Sequence, residues 1–198
     1  MCIRDSLYIA DYVNHNILKV PANTHQVEVF AHNAKMNQPN DISITKSGAL
    51  FASDPNWSKS TGQLWRINTD GSTELLEKNM GTTNGVAVNG DNTKLYVNES
   101  VQRVVWQYDL DDELNISNKQ ELIRFDDHGL DGMRVNSEGQ IFITRYGAGK
   151  VLKVSPKGKV LKTYKLKGQH PTNLTFNESQ TKMYVTMQKR GAIEVIEL

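Results

Sequence analysis

Apolar and polar residues alternate along most of the chain in short runs, and the runs recur at a nearly fixed spacing. Leu7-Tyr8-Ile9-Ala10-Asp11, Leu50-Phe51-Ala52-Ser53-Asp54, Leu95-Tyr96-Val97-Asn98-Glu99, Ile141-Phe142-Ile143-Thr144-Arg145 and Met183-Tyr184-Val185-Thr186-Met187 share one pattern, and their first residues lie 43, 45, 46 and 42 positions apart. The last four are each preceded by another short run: Asn40-Asp41-Ile42-Ser43-Ile44, Asn84-Gly85-Val86-Ala87-Val88, Asp131-Gly132-Met133-Arg134-Val135 and Thr172-Asn173-Leu174-Thr175-Phe176. Apolar residues fall at the third and fifth places of each, which is the period of a strand with one buried face. The connecting segments hold Gly48, Asn89-Gly90 and Gly139, the residues a tight hairpin asks for. A third strand is predicted at residues 17–20, 64–67, 104–108, 151–154 and 193–196, and a fourth at 27–30, 73–76, 121–125 and 160–166. Four antiparallel strands in each repeat of this length predict the blades of a β-propeller. The first repeat lacks its innermost strand, and the last stops after its third.

Bulk composition narrows the function classes. A net charge of +1 over 198 residues gives no basic excess to attract nucleic acid or an anionic membrane. No apolar run approaches the roughly 18 residues of a spanning helix. Cys2 is the single cysteine, so no internal disulfide forms. Residues 1–6 do not read as a secretory signal and are taken as a leader foreign to the repeat. The compartment stays open.

Candidate chemistry comes from the repeat register. In a propeller the inner strands line one channel, so their first residues, Asn40, Asn84, Asp131 and Thr172, are expected to face a common axis. Oxygen donors without Cys or His favour calcium or magnesium over zinc or copper. Asn and Asp at strand starts also serve simply to bond nearby backbone, and residue type alone does not separate these roles. No Gly-x-Ser-x-Gly elbow occurs, which argues against a serine-hydrolase route.

The motifs resemble one family in order. Pro39-Asn40-Asp41 with Phe51-Ala52-Ser53-Asp54-Pro55, Thr83-Asn84-Gly85-Val86-Ala87-Val88, Leu130-Asp131-Gly132-Met133-Arg134-Val135 and Pro171-Thr172-Asn173-Leu174-Thr175-Phe176 are similar to the blade signatures of the senescence-marker-protein/gluconolactonase/regucalcin-like propellers. Thr83 and Asn177 depart from the usual Pro and Gly. The resemblance implies an all-β, six-bladed propeller of four-stranded antiparallel blades. Blade one and part of blade two would be missing, and residues 7–198 would be blades two to six. It implies a calcium-type, metal-dependent hydrolase that opens a sugar lactone or similar small lactone, other divalent cations also serving. Asn40, Asn84 and Asp131 match metal ligands of the family, and Asp131 matches its proposed base. A further acidic ligand, from blade one, has no counterpart here.

Gln38, Asp54, Trp57, Tyr146 and His170 fall on the loop side expected to meet substrate. The resemblance further implies a monomeric parent protein with a small-molecule partner. A chain lacking blade one is expected to be poorly soluble or to self-associate, to bind calcium weakly or not at all, and to have little or no activity of its own. A different reading takes Leu7-Tyr8-Ile9-Ala10-Asp11 and Asn16-Ile17-Leu18-Lys19-Val20 as similar to an NHL repeat, which implies a non-catalytic binding scaffold.

Overall fold

The computed structural model describes residues 6–198, and every regular element except two one-turn 3-10 helices is a strand. Two compact units meet at the Thr83–Asn84 boundary. The first holds two antiparallel sheets. Strands β1 (Ser6–Asp11), β2 (Asn16–Pro21) and β3 (Glu28–His32) form one in sequence order. Strands β4 (Ile42–Ile44), β5 (Leu50–Asn56), β6 (Thr61–Ile67) and β7 (Thr73–Met80) form the other. Ile17 and Ala31 of the first sheet, with Met36 from the loop after it, pack on Leu50, Ala52, Trp65 and Ile67 of the second. The β6–β7 turn needs a glycine: Gly71 has φ +84°, and a Cβ there would stand 2.3 Å from the Phe30 carbonyl oxygen.

The second unit holds three sheets. The first is β8 (Thr83–Val88), β9 (Lys94–Glu99), β10 (Val104–Leu110) and β11 (Ile116–Arg124). The second is β12 (Met133–Val135), β13 (Ile141–Arg145), β14 (Lys150–Val154) and β15 (Val160–Lys165). The third is β16 (Pro171–Phe176), β17 (Lys182–Met187) and β18 (Ala192–Glu197). All five residues of β13 are buried, because successive side chains leave opposite faces of a strand. Ile141 and Ile143 join Ala87, Tyr96 and Val105 of the preceding sheet, while Phe142 joins Leu174, Met183 and Val185 of the following one. Each such side chain contributes about 1.5–3 kcal/mol by leaving water.

The six-bladed arrangement of four-stranded blades is not what the chain forms. The described residues make five sheets, three with four strands and two, the first and the last, with three. The cause is visible in the repeat. Its strand pattern occurs five times, each copy builds one sheet, and the number six came from the family resemblance alone. The reading of residues 1–6 as a leader lies outside the described residues except for Ser6, which pairs with Pro21 in β1.

Two boundaries also differ from the pattern. β7 runs to Met80 and β11 starts at Ile116, well beyond the predicted fourth strands. Both are outer strands that are largely exposed, so no apolar alternation marks their ends. Pairing with β6 and β10 sets their length.

Candidate functional site

Two of the four inner strands are shorter than the pattern suggests. β4 begins at Ile42 and β12 at Met133, which leaves Asn40 and Asp131 just ahead of the regular ladder. Backbone pairing continues there as a bulge. The Asn40 N–H donates to Ser53 O at 2.9 Å, and the Ser53 N–H donates to Asp41 O at 3.1 Å, so two residues oppose one. Asp131 and Gly132 oppose Thr144 in the same way, at 3.1 Å in both directions. In the last sheet the register slips between Pro171 and Asn173, opposite Met187 and Thr186. A bulge re-aims the side chain it carries, and these bulges fall where the sequence places Asn40, Asp131 and Thr172.

A hydroxyl residue opposite each bulge pins it. Ser53 Oγ accepts from the Asp41 N–H at 3.0 Å, Thr144 Oγ1 donates to Gly132 O at 2.9 Å, and Thr186 Oγ1 accepts from the Asn173 N–H at 2.9 Å.

Asn84 and Asp131 both belong to the second unit, and their segments touch. Asn84 is buried, and its Nδ2 lies 3.5 Å from Leu130 O, the outer limit of a hydrogen bond. Its Oδ1 is buried with no partner. A buried acceptor left without a donor costs about 1–3 kcal/mol, which an ordered water or a bound ion would offset. Asp131 is half-buried. Asn40 lies in the first unit and is exposed. Among the described residues no three His, Cys, Asp or Glu side chains gather as a metal cluster. A cation held here would therefore draw on asparagine oxygens, and the orphaned Asn84 Oδ1 beside the Asp131 segment suits a hard dication.

The sequence reading puts Asp54 on the substrate rim, but the structure buries it completely. Its carboxylate accepts from the N–H of Asn37 at 2.8 Å, the N–H of Gln38 at 2.6 Å and Trp65 Nε1 at 3.0 Å. Burial pushes the carboxyl above its ordinary value, while these hydrogen bonds pull the other way. The group that does reach the rim is Gln38, whose Oε1 accepts from the Trp57 N–H at 3.2 Å. Trp57, 42% exposed, opens a one-turn 3-10 helix (Trp57–Lys59). Gln38, Asp54 and Trp57 are thus one hydrogen-bonded unit.

In the second unit Tyr146 and His170 meet edge to face, with ring centres 4.9 Å apart. Tyr146 Oη donates to Gln188 Oε1 at 2.7 Å, and the Gln188 N–H donates to His170 O at 3.0 Å. Gln188 opens the other 3-10 turn (Gln188–Arg190). An open hollow of about 450 Å³ near Thr172, Thr186, Gln188 and Ile193 has no carboxylate on its wall, so it is a poor seat for a cation.

Arg145 occupies in β13 the repeat position of Asp54, with the charge reversed. It is buried, and its Nη2 donates to Asp127 O at 2.5 Å and to Asp127 Oδ1 at 2.7 Å. The Arg145 guanidinium, with His128 helping, lowers the Asp127 carboxyl to about 2. A lowered value means that the pair stabilises the fold above the ordinary carboxylate value of 3.8 and that this is lost as pH falls toward about 2. Asp127 is solvent-exposed, so the effect is small. Asp127→Asn should melt slightly below the parent at pH 7 and converge with it near pH 2. A gap that widens on acidification would contradict this account.

Comparison with known proteins adds a decisive observation. Residues 1–189 match the family model described as the SMP-30/Gluconolactonase/LRE-like region. The chain belongs to this family. A gluconolactonase of Zymomonas mobilis is 28% identical over 91% of the chain and 57% of its own length. The pentonolactonase XacC of Haloferax volcanii is 28% identical over 74% of the chain and 52% of its own length. The chain therefore spans a little over half the length of the curated relatives it matches. The crystal structure of regucalcin from Agrobacterium tumefaciens, described as a calcium-binding protein, superposes with a TM-score of 0.81 at 21% identity, covering 92% of this chain and 64% of that one. At that identity the likeness speaks to fold alone.

Within this SMP-30/gluconolactonase/LRE-like chain, sequence reasoning missed Asn98, Arg145 and Gln188. A signal for the first two was present. In the second strand of each repeat the fourth and fifth residues are mostly polar in an otherwise apolar run, yet Ser53, Asp54, Asn98, Glu99, Thr144 and Arg145 are all buried. Buried polar residues at a recurring position point to a shared structural task. For Gln188 the only cue was Gly191, which ends its turn in the left-handed region.

Proposed function

We propose that this protein is a calcium-dependent lactonase that opens a small, sugar-derived lactone. One observation carries the reading: the buried, unpartnered Oδ1 of Asn84 beside the Asp131 segment, in the motifs that mark the family. The names of the relatives, gluconolactonase and pentonolactonase, support the substrate class. Asn84 and Asp131 are the proposed ligands in the second unit, and Asn40 is assigned the same role on its motif alone. A dication so held would polarise the ring carbonyl.

The chain's own residues have the remaining tasks. Asp131 takes a proton from the attacking water at a carboxylate oxygen. Water oxygen bonds to the carbonyl carbon, the ring acyl C–O bond breaks, and the proton passes to the departing ring oxygen to give the open hydroxy acid. In the second unit Tyr146 offers a flat face for a sugar ring and His170 a polar contact; Trp57 and Gln38 of the first unit are assigned the same tasks on their place in the repeat alone. Asp54 enters as the group that positions Gln38.

Hydrolysis of glucono-1,5-lactone by the full-length protein, followed as acid release above the spontaneous rate, tests the proposal. Activity should disappear with EDTA and return with calcium. A rate indifferent to EDTA would remove the metal, and no rate with any divalent cation would leave a binding scaffold as the better description.

A further inference from the structure

We infer that Asn98 is a positioning residue for Asp131, acting across the gap between neighbouring sheets; this rests on the role proposed for Asp131 above. Asn98 is 0% exposed, and its Nδ2 donates to the main-chain oxygen of Asp131 at 2.6 Å. A carbonyl only accepts, so the amide must present its NH₂ there. That orientation leaves Asn98 Oδ1 buried without a partner.

The neighbouring repeats show what the position does elsewhere. Thr144 holds the same place in the next sheet, and its Oγ1 donates to Gly132 O of its own bulge at 2.9 Å. It reaches Thr172 O of the following sheet only at 3.3 Å. Ser53 and Thr186 likewise bond within their own sheets. Asn98 gives up the local bond that a hydroxyl would make and, with a longer side chain, secures the next sheet instead. The residue it secures is the acidic one among the inner-strand starts.

Gly85 makes this possible. Its φ lies outside the left-handed region, so conformation does not demand a glycine. Space does: a Cβ would stand 2.4 Å from Asp131 O and 2.6 Å from Asn98 Nδ2. The pair Gly85 and Asn98 therefore fixes where the Asp131 main chain sits, and with it the origin of the carboxylate. Partners behind a metal ligand typically change affinity by about 10–100-fold when lost.

Asn98→Ala and Asn98→Thr test the clamp. The threonine variant guards against misfolding, since a hydroxyl already serves this position in the next sheet. In the metal-free 198-residue chain, amide exchange at Asp131 and Gly132 should accelerate about tenfold with either variant, the scale of one lost hydrogen bond. Exchange elsewhere in β12 and β13 should stay as it was. Calcium affinity, titrated by calorimetry, should fall about tenfold or more with either variant. Exchange that is unchanged, or that rises evenly across the unit, overturns the clamp. Unchanged exchange together with unchanged affinity leaves Asn98 as packing. With a parent chain that takes up no calcium, the clamp stands or falls on the exchange result alone.

Discussion

In the full-length protein, Asp131→Asn is expected to cut lactone hydrolysis about a hundredfold or more, the usual worth of a positioned general base. The substitution keeps shape and removes charge and basicity. The backbone should not move, because it is held from both sides independently of the carboxylate: the Asp131 N–H donates to Thr144 O at 3.1 Å, and its oxygen accepts from Asn98 Nδ2 at 2.6 Å. Loss of rate should therefore far exceed what any change of melting temperature in EDTA accounts for. Asn84→Asp should be much milder, since it preserves an oxygen donor and adds charge. Initial rates on glucono-1,5-lactone across a calcium titration separate the two residues. Equal and small effects would refute the role given to Asp131.

The largest effect on stability should come from Asp54→Ala. The carboxylate receives two main-chain N–H groups and an indole N–H in a site with no solvent exposure. Removing it strands those donors, each at a cost of about 1–3 kcal/mol, and local relaxation recovers part. A net loss of about 3 kcal/mol is expected, or a fall of roughly 6–12 °C in melting temperature for a chain of this size. Asp54→Asn should recover part of this, because its Oδ1 can still accept from both main-chain N–H groups while its NH₂ would face the indole N–H. Urea or thermal unfolding reads this directly. A loss under about 1 kcal/mol would show that the loop at Asn37 and Gln38 has other anchors.

How far could the sequence be read? The all-β fold class was legible because strand alternation repeats five times, and Leu50, Leu95 and Ile141 are buried as that alternation requires. The five sheets were legible too, in the five copies of the repeat; the six blades were not, because that number was borrowed from a family rather than counted. The candidate ligands were found by register. Their local geometry was not foreseeable, since a bulge such as that at Asp131–Gly132 leaves no mark in hydrophobic periodicity. Asp54 was misplaced for a plain reason: charged residues near loops are usually exposed, and only its partners reveal that it faces inward. Asn98 was overlooked because one strand position can carry Ser, Asn or Thr without disturbing the pattern, while the atom that each bonds differs.

The double-sided burial of β13 bears on how the second unit comes together. A lone four-stranded sheet from this region would leave both Phe142 and the Ile141–Ile143 pair in water, so it gains little by forming early. Its contacts are also long-range in sequence, and their loop-closure entropy must be met before any packing is gained. The three sheets of this unit are therefore expected to gain their stability together, each covering a face of the next.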